Sequence, residues 1–240
     1  MSTFIHLAPQ TLETNDDPIA SVAVRPQEID SASEVGWDTE SFAEEQIRGL
    51  VRSVYLSGSK PSRRVVFAAV DRENDLSALC RRIGQTLSAR VDGAICLLDL
   101  QDPSAVENAR SSMSSDRKRF GRLRDCSLQL SSQLWYMSDE VFRGEQWNGF
   151  STAWLRTRLA ELRLEFDYLV IQAPAVAATN QAALIAQSCD GLVLIVEENF
   201  TRRASADKVK ETLDAAHVRL LGTVLSERTF PIPQAIYKRV

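Results

Sequence analysis

This sequence predicts an α/β fold, a three-layer architecture with a parallel β-sheet and helices on both faces. Three observations predict it. Short unbroken apolar runs recur along the chain, and they alternate with segments whose apolar residues fall at helical spacing. No apolar stretch approaches the roughly 20 residues needed to span a bilayer. Strands buried on both faces read as continuous apolar runs, and strands that alternate with helices pair in parallel through crossovers.

Taken in order, residues 1–40 are rich in Asp, Glu, Ser, Thr and Pro without sustained periodicity, and read as an acidic flexible tail. Residues 41–240 read as the folded domain. Phe42, Ile47, Leu50, Val51 and Val54 lie at helical spacing, and Gly58 and Pro61 close that helix. The run at 64–70 (RVVFAAV) is a buried strand. Leu76, Leu79, Cys80, Ile83 and Leu87 then mark an amphipathic helix, and 94–99 (AICLLD) a second strand. Later come a helix around 150–165, a strand at 168–171, a helix around 180–188 and a strand at 191–196. A helix around 204–216 and a strand at 220–225 complete the alternation. The stretch 101–133 is irregular. In such sheets the working site lies beyond the carboxyl ends of the strands, which points to the loops after residues 70, 99, 171 and 196.

Composition narrows the function classes. The chain is 44% hydrophobic and 25% charged, ordinary for a globular protein. Its N-terminus lacks a basic segment followed by an apolar one, so no signal peptide is expected. Four cysteines stand far apart with no CxxC pair, which favours reduced thiols and a cytoplasmic setting. His6 and His217 have no partner at ligand spacing, so no metal site is expected. The net charge of −4 conceals an asymmetry: residues 1–45 hold ten acids and one base, Arg25, while the remainder carries 27 bases and 22 acids. Five bases cluster at Arg117, Lys118, Arg119, Arg122 and Arg124. That run reads as a solvated helix face or as a patch for anionic lipid or nucleic acid. A pI near 5.4 and the acidic tail argue against nucleic acid.

The first strand-to-helix loop is where such folds bind phosphate, using glycines that turn N–H groups inward and a lysine. Here it carries Asp71, Glu73, Asn74, Asp75, Leu76 and Ser77, with neither glycine nor lysine. Two like charges about 4 Å apart cost roughly 4 kcal/mol at an effective dielectric near 20. Loss of the lysine removes about 1.5–3 kcal/mol more. Conventional ATP binding is therefore expected to be very weak. Asn74 or Asp75 is expected to cap the following helix, whose N-terminus favours negative charge.

From about residue 41 onward the chain resembles the bacterial tyrosine kinases of capsular and exopolysaccharide synthesis, P-loop proteins related to the deviant-Walker partitioning ATPases. FDYLVIQAPAV (166–176), CDGLVLIVEENFTRRASADKVKETLDAA (189–216) and LGTVLSERTFPIPQAIYKRV (221–240) carry the resemblance. It implies that Asn74, Asp75, Leu76 and Ser77 stand where the family has Glu-Gly-Lys-Ser/Thr, so only the magnesium-side hydroxyl is kept. Asp99 keeps the first acid of the family's Asp-x-Asp, and Gln101 replaces the second. Gln172 replaces the acid of the third motif, and Ser226 stands for the asparagine that reads adenine. No tyrosine-rich tail follows; the sequence closes at Tyr237-Lys-Arg-Val. Glu45 and Arg48 match the start of the family's Glu-x-x-Arg-x-x-Arg self-association helix, with Arg52 one place beyond the last arginine. Those three read equally as a subunit contact or as an intrahelical ion pair.

The resemblance thus implies a pseudoenzyme without cofactor, a regulatory or scaffolding protein of exopolysaccharide production. It would engage a membrane polysaccharide co-polymerase, an active kinase homologue or itself, in the cytoplasm or peripherally at the inner face of the membrane. The alternatives are a divergent ATPase or tyrosine kinase using Ser77 and Asp99, and a surface-binding module working through 117–124.

Overall fold

The computed structural model describes residues 4–6, 39–58, 61–71, 76–100, 122–143, 152–198 and 200–226. Its core is one eight-stranded sheet. The strands are β1 (Phe4–His6), β2 (Arg64–Ala69), β3 (Ile95–Asp99), β4 (Leu128–Gln129), β5 (Leu134–Met137), β6 (Tyr168–Gln172), β7 (Gly191–Glu197) and β8 (Leu220–Ser226). They lie side by side in the order β1-β8-β7-β2-β6-β3-β5-β4. The six inner strands run parallel, and β1 and β4 close the two edges antiparallel.

Alternation along the strands makes the layers. On β2, Val65, Phe67 and Ala69 face one side while Val66, Ala68 and Val70 face the other, and all six are buried. The first side is covered by α1 (Thr39–Val51) and α2 (Ser77–Ser88), through Ile47, Leu50, Val51, Cys80, Ile83 and Leu87. The second is covered by α3 (Asp139–Arg143), α4 (Thr152–Glu165), α5 (Gln181–Gln187) and α6 (Arg203–Ala215). Phe142, Leu155, Leu159, Leu162, Ile185, Val209 and Leu213 fill that layer. Each fully buried Leu or Phe contributes about 2 kcal/mol, so the doubly covered sheet is the dominant source of stability.

The expected strands and helices recur within one or two residues of their sequence positions. Four features differ. The helix begun by α1 continues as a π-helical turn over Arg52–Leu56, which buries Val54 and Tyr55 and leaves Arg52 exposed. Gly58 follows with φ of 93°, a left-handed conformation that suits glycine. Residues 134–137, which continue from the irregular stretch, form β5, and β4 lies inside that stretch. Both β4 residues are exposed, so no apolar alternation marks it. Phe4–His6 adds an edge strand on β8 inside the segment read as a tail; residues 7–38 lie outside the described residues. Finally, the sheet is not wholly parallel: β4 turns back tightly onto β5, which allows antiparallel pairing without a crossover, and β1 adds antiparallel to the outer edge of β8.

At the opposite end from the candidate site, Asp190 ties β2 to β7. Its Oδ2 accepts hydrogen bonds from the Arg63 and Arg64 N–H groups (2.8 and 2.9 Å), and its Oδ1 accepts one from Arg64 Nη2 at 2.8 Å. No helix among the described residues is long and apolar enough to cross a membrane.

Candidate functional site

The carboxyl ends of β2, β3 and β6 bring together residues that are far apart in sequence. Asp99 is the last residue of β3 and pairs in register with Gln172, the last residue of β6. The Leu100 N–H donates to the Gln172 carbonyl at 2.9 Å, which locks the two strand ends. Beyond Gln172 the chain follows β2: Ala173 N–H donates to Phe67 O, Val176 N–H to Ala69 O and Ala177 N–H to Val70 O. This course sets the Gln172 side chain beside the start of α2. Its Nε2 donates to Ser77 Oγ at 3.3 Å, and the residue is 2% exposed.

Asp99 is 8% exposed, and its Oδ2 accepts a hydrogen bond from the Tyr136 hydroxyl at 3.3 Å. Tyr136 is the functional candidate that the sequence did not reveal. It sits on β5, and only the pairing of β5 with β3 brings it within reach. No spacing or motif signals a bond between residues 37 positions apart.

Leu76 occupies the position before α2 in a right-handed helical conformation, and no side chain caps the helix there. Its side chain is 4% exposed and packs into the core with Cys80 and Ala69. Leu76 is thus a core residue and does not reach out into the loop. Asp71 is exposed at the loop's start. Asn74, Asp75 and Gln101 lie outside the described residues, so the expected capping by Asn74 or Asp75 falls there too. Ser226 stands apart from this cluster, at the end of β8. Its hydroxyl donates to Val196 O at 3.4 Å and is turned back onto the sheet.

These residues can be weighed against Mg-nucleotide, which P-loop folds bind. A hard divalent cation is best held by carboxylates. Ser77 and Asp99 could each hold an ion, but Gln172 supplies a neutral amide that is already bonded to Ser77. The set is a poor one for Mg²⁺, although every member is still a hydrogen-bonding group. Among the described residues no group of three or more His, Cys, Asp or Glu is placed to hold a metal. Burial pushes the thiols of Cys96 and Cys189 upward, Cys189 to about 12, so neither is a ready nucleophile.

On α1, Arg48 pairs with Glu44 at 2.9 Å and with Glu45 at 3.3 Å, all on one exposed face. Arg52 opens the π-helical turn. An open groove of about 440 Å³ runs between α1 and α2, lined by Arg48, Arg82 and Arg90 among others. Of the basic run, Arg122 and Arg124 are described, while Arg117, Lys118 and Arg119 lie outside the described residues.

No protein-family model matches the chain. Curated relatives do. The tyrosine-protein kinase CpsD of Streptococcus agalactiae is 29% identical over 75 residues, covering 31% of this chain and 33% of that protein. The tyrosine-protein kinase YwqD of Bacillus subtilis is 26% identical over 76 residues, covering 32% of each. The matched stretch thus spans about a third of the length of these relatives.

Among solved structures, the chimerical protein CapA2B2 superposes with a TM-score of 0.59 at 15% identity, covering 75% of this chain and 83% of that one. The BceF tyrosine kinase domain gives 0.54 at 16% identity, with 77% of each chain covered. The kinase domain of the Escherichia coli tyrosine kinase ETK gives 0.54 at 11% identity, with 88% of each covered.

The expectation of a pseudoenzyme is corrected by these findings. The relatives are named tyrosine-protein kinases, so the likeness is to enzymes. Lost motif residues were an insufficient ground for placing the chain outside them; at the strand ends Ser77 with Gln172 and Asp99 with Tyr136 still form two hydrogen-bonded pairs. Over about a third of its length the chain is a homologue of bacterial tyrosine-protein kinases, and its fold is that of their kinase domains.

Proposed function

We propose that this chain is a divergent kinase-type P-loop protein of exopolysaccharide or capsule production, with a nucleotide site of weakened affinity and a regulatory role exercised through protein contacts. The Gln172–Ser77 hydrogen bond carries the reading. It keeps the family's hydroxyl in place but puts an amide where a carboxylate would order magnesium. The buried Leu76 removes the phosphate-facing cation as well. The partners that fit are a membrane polysaccharide co-polymerase, an active kinase homologue, or a second copy through Glu45, Arg48 and Arg52. The chain would work in the cytoplasm, close to the membrane that holds such a co-polymerase.

Co-purification of the full chain with a co-polymerase and its kinase, followed by phosphotyrosine detection with and without Mg-ATP, tests this. The reading expects recovery of one of those components and slow or assisted phosphotransfer. Recovery of unrelated proteins alone, or vigorous unassisted autophosphorylation, would refute it.

A further inference from the structure

A second surface, away from the strand ends, combines cations with exposed leucines. On α4, Leu155, Leu159 and Leu162 are buried, yet Leu164 in the last turn is 88% exposed. Leu164 lines an open pocket of about 410 Å³ with Arg122, Arg124 and Glu165. Nearby in the chain, Leu128 on the edge strand β4 is 57% exposed. Isolated exposed leucines are common, but a leucine set against a pair of arginines is a combination of cation and apolar contact.

The two arginines have no carboxylate partner within ion-pair distance among the described residues. Arg124 is held instead on aromatic faces, its guanidinium 3.8 Å from the Trp135 ring centre and 5.9 Å from that of Phe166. That stacking fixes the group without a paired carboxylate among the described residues. Glu165, the acid in the pocket, spends both oxygens on backbone: Oε1 accepts from the Leu123 N–H at 3.0 Å and Oε2 from the Arg124 N–H at 2.7 Å. Its carboxylate thus anchors the segment. In sequence, Arg122 and Arg124 close the basic run that begins at Arg117.

We propose that the surface of Arg122, Arg124 and Leu164 binds an anionic phospholipid bilayer peripherally. Lipid phosphates would meet the guanidinium groups, and Leu164 would enter the headgroup boundary. A bilayer suits this patch better than an acidic peptide because it offers negative charge and an apolar layer at once. The proposal is independent of the nucleotide site, and failure of either leaves the other standing.

The test uses the full chain sedimented with vesicles of phosphatidylcholine alone or with a third phosphatidylglycerol. Partition into the anionic vesicles only, falling as salt rises, is expected. Arg122→Ala should weaken it about fivefold, the equivalent of about 1 kcal/mol per surface cation. Leu164→Gln should weaken it by a smaller factor. Both sites are solvent-exposed, so unchanged unfolding curves separate lost binding from lost folding. Absence of partition, or equal partition by the wild type and both variants, overturns the proposal. So does binding to polyglutamate, lost in Arg122→Ala, with no binding to vesicles; that result assigns the patch to an acidic polypeptide.

Discussion

Replacing Asp190 with asparagine isolates the clamp that starts the central strands. In the wild type, one carboxylate accepts two backbone N–H groups and is paired with the Arg64 guanidinium. Asparagine keeps one acceptor oxygen, which can serve the backbone N–H groups, but its amide nitrogen then faces the Arg64 Nη2 donor. One charge-assisted hydrogen bond is lost outright, worth about 1.5–3 kcal/mol. Partial solvent access at this end of the sheet softens the loss, so a value near 2 kcal/mol is expected.

Urea unfolding followed by tryptophan fluorescence reads this as a lower midpoint with an unchanged slope. The pH dependence is a stricter check. Burial pushes the Asp190 carboxyl upward, but the hydrogen bonds from Arg64 and the Arg63 N–H outweigh it and hold the group below its ordinary value. A carboxyl lowered by folding stabilises fully above its unfolded pKa, and the gain is lost as pH falls through the folded pKa. The gap between wild type and Asp190→Asn should therefore be constant near neutrality and close below about pH 4. A gap under about 0.5 kcal/mol at pH 7, within the range of ordinary surface changes, would refute the reasoning. So would a gap that persists undiminished in acid.

Other substitutions follow from the same geometry. Tyr55→Phe removes the buried hydroxyl that donates to Leu169 O at 3.3 Å and should cost about 1 kcal/mol in the same unfolding assay. Gly191→Ala would bring a methyl group to 2.6 Å from Leu221 Cγ and 2.7 Å from Arg219 O. An overpacking loss of about 1–3 kcal/mol is expected, seen as a lower thermal midpoint. His217 ends α6 at φ of 53°, where glycine is favoured, so His217→Gly should raise stability by about 0.5–1 kcal/mol.

Strands such as β2 and β7 were legible because burial on both faces leaves an unbroken apolar run. β5 was not, because its run of four residues is short and adjoins the irregular stretch, and its pairing with β3 and β4 is set only by the fold. The same limit governs the site. Asp99, Gln172 and Ser77 were identified through the resemblance to a family, yet their mutual arrangement rests on contacts across 37 and 95 positions. Leu76 was read as a missing lysine; only packing reveals that its side chain turns into the core. The motif losses were legible too, and they led to too strong an expectation about activity. A substituted side chain can keep a hydrogen-bonding place at the strand ends, as the Gln172 amide does.

Calorimetry of Mg-ATP binding to the wild-type chain and to Gln172→Asp tests the central claim most directly. The weakened site predicts low affinity in the wild type and a gain of about tenfold or more when the carboxylate frees Ser77 and completes a magnesium set with Asp99. Tight wild-type binding that the substitution leaves unchanged, or no measurable binding by either chain, would contradict the account.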